Sequence, residues 1–205
     1  MAEPQTTQAP HVTIADAPPA PAATPAKAPR WRPGDERPDL DAMIRVDQAG
    51  EYGATRIYCG QLAVLGSNQP AAGLIARMQS QEESHLRSFD AMMVERGVRP
   101  TLLQPVWQVA GHALGAATAL LSPGAAMACT AAVETEIDRH YGQQVTSLGA
   151  EEPDLSATIT RFQSEELEHR DTAIAHGAEQ TFGYPILSGA IRLGCRLAIA
   201  LSKRI

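Results

Sequence analysis

Apolar residues recur at three- and four-residue intervals through four stretches of about 25 residues each, and that period is helical. The first runs from Leu40 to Leu65, with Ile44, Asp47/Gln48, Glu51, Thr55, Tyr58, Leu62 and Leu65 along one stripe. After a turn at 66–70, the second covers about 71–96, with Ile75, Met78, Glu82, His85/Leu86, Phe89 and Met93 in line. Gly97 stands where a left-handed residue would end it. Ser122-Pro123 reads as an N-cap with proline in the first turn of a third helix, reaching about Leu148. Its stripe is Met127, Thr130/Ala131, Glu134, Ile137/Asp138, Tyr141, Val145 and Leu148, which selects Glu134 over Glu136 as the inward carboxylate. Asp154 is the expected cap of a fourth, with Ile159, Phe162/Gln163, Glu166, His169/Arg170, Ala173 and His176 on its stripe. Four such helices predict an all-α four-helix bundle.

Two other segments do not fit the four stripes. Residues 102–121 carry no Asp, Glu, Lys or Arg, and suit either a buried crossover or a helix lying in an interface. Residues 186–205 mix Ile186, Leu193, Leu197 and Leu201 with Arg192, Arg196, Lys203 and Arg204, and 180–205 hold no acid. An extra C-terminal amphipathic helix suited to an anionic membrane surface is expected there. No uniformly apolar run of 18 residues occurs, so a spanning helix is not predicted. Residues 1–38 are rich in proline and alanine and predict a disordered tail; 39–205 form the domain.

The carboxylates on the stripes carry the chemistry. Glu82-Glu83-Ser84-His85 and Glu166-Leu167-Glu168-His169 each place a glutamate and a histidine one helical turn apart. Glu51 precedes Glu82 by 31 residues, and Glu134 precedes Glu166 by 32. Glu…Glu-x-x-His, twice over, is the donor order of a carboxylate-bridged di-iron or di-manganese bundle. The candidate ligands are therefore Glu51, Glu82, His85, Glu134, Glu166 and His169. Four buried carboxylates alone would be costly; two divalent cations balance their charge. Hard oxygen donors with some nitrogen suit iron or manganese better than structural zinc. Asp47 and Asp138, one turn from Glu51 and Glu134, are candidates to orient a ligand histidine. His112 lacks a glutamate partner at ligand spacing and is read as a non-ligand. Gly50, Gly53 and Gly60 weaken the first helix, which implies close packing or room for a ligand.

Composition narrows the partners. The net charge of −6 disfavours nucleic acid, and three well-separated cysteines, with no Cys-x-x-Cys, suggest reduced thiols. No nucleotide-binding glycine fingerprint appears.

The chain resembles the demethoxyubiquinone hydroxylase family of ubiquinone-biosynthesis monooxygenases. The likeness runs from about Ile44 to the C-terminus. It rests on Arg45-Val46-Asp47-Gln48-Ala49-Gly50-Glu51-Tyr52-Gly53-Ala54, Gln81-Glu82-Glu83-Ser84-His85, Ala128-Cys129-Thr130-Ala131-Ala132-Val133-Glu134 and Glu165-Glu166-Leu167-Glu168-His169. The resemblance implies a ferritin-like fold holding two Fe ions, with O2 as co-substrate; the reductant is left open between NADH and the quinol itself. It implies a polyprenyl demethoxyubiquinol substrate taken from a membrane, and His140 and Tyr141 as residues near iron and quinol. A bacterial inner membrane, peripheral on the cytoplasmic side, is the expected location, with the mitochondrial inner membrane second. A ubiquinone-biosynthesis complex and a homo-oligomer are expected assemblies. The competing expectations are iron storage by a ferritin-like protein and a non-catalytic lipid-binding component.

Overall fold

The computed structural model describes residues 38–67 and 69–205; the expected tail lies outside them except for Pro38. Among the described residues there are six helices and no strand: α1 Leu40–Leu65, α2 Pro70–Arg96, α3 Gln104–Leu121, α4 Pro123–Leu148, α5 Pro153–Ala175 and α6 Tyr184–Ser202. Helices α1, α2, α4 and α5 are the four read from the stripes. Together they make an all-α, ferritin-like bundle of two hairpins, α1/α2 and α4/α5, with α3 connecting them and α6 added at the end.

Local chemistry sets most of the ends. Asp39 accepts from the Ala42 amide at 2.9 Å to open α1, and Ser122 accepts from Ala125 at 2.9 Å ahead of Pro123 to open α4. Gly97 closes α2 in the left-handed region at φ 68°. Three boundaries differ from expectation. Helix α5 begins at Pro153, so Asp154 is not its cap but lies in the first turn, where its charge still favours the helix dipole. The same helix ends at Ala175; His176 leaves the stripe, is exposed, and turns its Nδ1 to the Thr172 carbonyl at 2.8 Å. Helix α6 starts at Tyr184, two residues before the expected segment, because Pro185 fits its first turn.

Helix α4 is the axis of the fold. Every residue from 125 to 134 is buried, a burial pattern that only a helix packed on all sides can have. Its alanines let α5, α6, α3 and α1 approach it from different directions. One apolar layer gathers Tyr58, Ile75, Met78, Met127 and Ala173; another gathers Ile44, Phe89, Met93, Leu148, Leu155, Ile159 and Phe162. The charged residues of the four stripes lie between these layers.

Helix α3 is not a buried crossover. It lies along the outer side of α1 and buries only Gly111, Gly115, Thr118 and Ala119, while Val106, Val109, Leu120 and Leu121 are exposed. Glycines set this contact: a Cβ at Gly115 would overlap the Ile57 carbonyl oxygen, and one at Gly60 the His112 carbonyl oxygen. Gly60 therefore serves close packing, whereas a Cβ at Gly53 would meet nothing within 4 Å. The small face of α3 goes inward because it alone allows this approach, so its large apolar residues face out.

Helix α6 is long and apolar enough to cross a membrane by length and composition, and only 17% of its apolar stretch is buried against the bundle. Arg192 and Arg196 interrupt its apolar sequence without making it polar overall. Both arginines reach inward instead: Arg192 Nε lies 2.6 Å from Glu136 Oε1, and Arg196 Nε 3.3 Å from Glu136 Oε2. Glu136 is thus buried like Glu134, but under α6 rather than inside the bundle. Glu136→Gln is expected to weaken docking of α6 by about 1.5–3 kcal/mol, the range for hydrogen bonds to charged groups. Hydrogen exchange should rise along α6 and not along α2; unchanged protection of α6 would contradict this anchoring role.

Candidate metal centre

All six candidate ligands converge between the two apolar layers, and all are buried. They form two groups. Donor atoms of Glu51, Glu82, His85 and Glu166 lie within 4.8 Å of one another, and so do those of Glu82, Glu134, Glu166 and His169. Glu82 and Glu166 belong to both groups, whereas Glu51/His85 and Glu134/His169 each belong to one. This division into two shared and two terminal carboxylates was not legible from spacing alone.

The histidines enter with the same nitrogen. His85 Nδ1 lies 3.0 Å from Glu166 Oε1 and 3.5 Å from Glu51 Oε2. His169 Nδ1 lies 3.0 Å from Glu82 Oε1 and 3.2 Å from Glu166 Oε2. Their Nε2 atoms point away, to Glu165 Oε2 at 2.6 Å and Gln81 Oε1 at 3.0 Å respectively. With Nε2 donating, a metal ion in place of the Nδ1 proton would leave each ring neutral, its Nδ1 lone pair toward the cluster. Phe162 stacks on His85 at 4.0 Å between centroids and holds that ring in place.

The expected orienting roles of Asp47 and Asp138 do not hold. Asp47 meets His140 Nε2 at 3.0 Å and accepts from Gln144 Nε2 at 2.7 Å. Asp138 accepts from Gln163 Nε2 at 2.7 Å and faces Arg170 at 3.9 Å. Neither touches a ligand histidine, because one turn along the same helix does not lead to a ring carried by another. Gln81 and Glu165 take the role. The available signal was their place four residues before each histidine, on the same helical face.

Two buried phenols complete the centre. Tyr141 donates to Glu51, and Tyr58 donates to Glu134 Oε1 at 2.8 Å. Each tyrosine lies seven residues after the terminal glutamate of its own half and serves that of the other. Tyr58 was missed as a site residue, although the repeat that relates Glu51 to Glu134 also relates Tyr58 to Tyr141. His140 lies farther out and contacts none of the six donors; it is tied into Asp47 and Gln144. His112 is exposed and outside both groups.

The electrostatics show a site short of positive charge. Burial drives the carboxyls of Glu82 and Glu134 well above the ordinary range, and neighbouring carboxylates add to the effect. Burial would lower His85, but Glu166 and Glu51 outweigh it and hold the imidazole up to about 11. Burial would raise Glu166, yet its contacts with His169 and His85 bring it to about 2. Glu82 Oε1, both oxygens of Glu166, and Nδ1 of His85 and of His169 are buried without an aligned hydrogen-bond partner. Orphaned donors of one kind, all aimed at one place, are what divalent cations would satisfy. The oxygen and nitrogen set fits iron or manganese.

Beside the centre, α1, α3, α4 and α6 enclose a groove of about 470 Å³. Its walls are almost wholly apolar, including Ala49, Gly50, Gly53, Ala54, Trp107, Leu114, Val133, Ile137, Ile191 and Ile199. Gly50 and Val133 immediately precede Glu51 and Glu134, so the groove floor is the seam between the helices carrying the terminal carboxylates. Trp107 donates from its ring nitrogen to Ser202 at 3.0 Å and joins α3 to α6 across the groove.

Comparison with known proteins places this arrangement. Residues 38–202 match the family described as ubiquinone biosynthesis protein COQ7. The chain is 55% identical over 175 residues to the 3-demethoxyubiquinol 3-hydroxylase of Rhodospirillum rubrum, covering 84% of this chain and 82% of that one. It is 49% identical over 173 residues to the human mitochondrial NADPH-dependent 3-demethoxyubiquinone 3-hydroxylase, covering 82% and 79%. It is 42% identical over 182 residues to the mitochondrial 5-demethoxyubiquinone hydroxylase of Saccharomyces cerevisiae, covering 81% and 78%.

Proposed function

The chain belongs to the ubiquinone biosynthesis protein COQ7 family, and on that premise we propose that it is a di-iron monooxygenase hydroxylating the ring of a polyprenyl demethoxyubiquinol. The observation that carries this reading is the apolar groove laid against two donor groups that share Glu82 and Glu166. Iron storage needs no such groove, and a non-catalytic lipid-binding component needs no intact set of six donors.

Glu51 and His85 would hold one ion, Glu134 and His169 the other, and Glu82 and Glu166 would serve both. The bound ions would supply O2 activation. The protein's own part is positional. Tyr141 and Tyr58 each hold one oxygen of a terminal glutamate, leaving the other free to serve as a ligand. Asp47, pushed up by burial, meets His140 and accepts from Gln144 one turn before Glu51, which ties α1 to α4 beside the centre. The apolar groove would seat the ring beside Gly50 and Gly53, whose missing side chains make room there. One oxygen atom enters the ring and the other leaves as water, with electrons from a reduced nicotinamide nucleotide, the class of reductant in the human relative's name.

A polyprenyl quinol dissolves in bilayers, so the groove should open toward one. Exposed Val109, Ile186, Leu193 and Leu197 on α3 and α6 support a peripheral seat on a membrane. Replacing Leu193 and Leu197 by serine should reduce co-sedimentation with anionic liposomes while helix content stays the same. Undiminished sedimentation would argue against α6 as the contact.

The reading itself is tested by the quinone profile of cells lacking the gene. An intermediate without the ring oxygen should accumulate and be cleared by the intact chain but not by Glu166→Ala. Normal quinones without the gene, in a cell with no second hydroxylase, would remove the substrate assignment.

A further inference from the structure

The two halves of the centre match at the terminal glutamates, the phenols, the shared glutamates and the histidines. They differ behind the histidines. Glu165 and Gln81 occupy the same place in each half, one residue before the shared glutamate, and each reaches the imidazole carried by the other half. His85 therefore faces a carboxylate at 2.6 Å, and His169 a neutral carboxamide at 3.0 Å.

This difference acts on the metal position through the ring. A carboxylate accepting from an imidazole N–H pulls on its proton, raises the electron density of the ring and makes the opposite nitrogen a stronger donor. It also adds negative charge beside the position. A carboxamide accepts the same bond without the charge. Phe162 stacked on His85 prevents the ring from swinging to another partner. Glu165 has 29% of its side chain exposed, so its charge keeps contact with solvent and avoids much of the desolvation cost of burial.

We propose that the two metal positions are unequal by construction: the Glu51/His85 position, backed by Glu165, is the tighter and takes the first divalent ion. The Glu134/His169 position, backed by Gln81, fills second. This inference rests on the metal reading above and adds an order to it.

Variants of the full chain with one position kept separate the two. His169→Ala retains the first and His85→Ala the second, with helix content checked by circular dichroism. Titrated with Co(II) without oxygen and followed by calorimetry and visible absorption, His169→Ala is expected to bind at least about tenfold more tightly. Adding Glu165→Gln to His169→Ala should weaken binding about 10–100-fold; adding it to His85→Ala should leave binding nearly unchanged. Equal affinities in the two backgrounds, or an equal loss in both, would overturn the proposal and leave the metal reading standing. If a histidine variant loses its helices, Gln81→Glu in the otherwise intact chain should tighten the weaker binding step, and an unchanged isotherm would overturn the proposal. A wild-type chain that binds no Co(II) would remove the metal reading and this proposal with it.

Discussion

Glu166→Gln is expected to lose both metal ions together, and with them all measurable ring hydroxylation, while remaining helical. Glu166 is one of two side chains common to both donor groups, so its neutral isostere withdraws a charged donor from each position at once. Removing even an outer partner of a ligand typically weakens metal binding about 10–100-fold; losing a shared ligand should exceed that at both positions. Shape and packing change little, since glutamine fills the same space and the residue is held in a face that also packs Phe162 and Ala173. Glu51→Gln is the contrast, because Glu51 serves one group only. It should retain an ion at the Glu134/His169 position. Iron analysis after anaerobic loading and gel filtration would check both variants. Two retained equivalents in Glu166→Gln, with affinity unchanged, would rule out the shared role.

The second large effect separates substrate access from folding. Gly53→Leu should abolish turnover of a long-chain demethoxyubiquinol by at least about 100-fold, the scale of loss when a substrate is displaced from its working position. Iron content and melting temperature should stay near wild type. The reason is local: a Cβ at Gly53 meets nothing within 4 Å, so a leucine there is accommodated by occupying the groove. Gly115→Ala should behave in the opposite way. Its Cβ would overlap the Ile57 carbonyl oxygen, and helix backbones cannot yield as a flexible side chain can. It should cost about 1–3 kcal/mol or more through overpacking, with any activity loss following the loss of stability. Full turnover by a folded, iron-loaded Gly53→Leu would show that the ring does not enter through this groove.

Much of the centre was legible from local pattern. A glutamate and a histidine three apart share a face whatever the rest of the molecule does, and a carboxylate on an apolar stripe must point inward if the helix packs at all. Repetition of the spacing in two halves then singled out Glu51, Glu82, His85, Glu134, Glu166 and His169. The segment 102–121 was harder, because hydropathy alone does not distinguish an apolar helix in a core from one on a surface. The steric demand of Gly115 against Ile57 decides it, and that demand exists only once α3 and α1 are in contact.

The sequence by itself determined the four bundle helices and the six candidate donors on their stripes, since helical period, caps and i,i+3 spacing act within a few residues. The tertiary structure alone decided the pairings across helices. Glu165 meets His85 rather than His169, Tyr58 serves Glu134, and Glu136 is buried by arginines 56 and 60 residues away. Such pairings depend on how far each helix is rotated and shifted against its neighbours. Packing of side chains along the whole length of the helices sets those offsets, and no single stretch of sequence contains them.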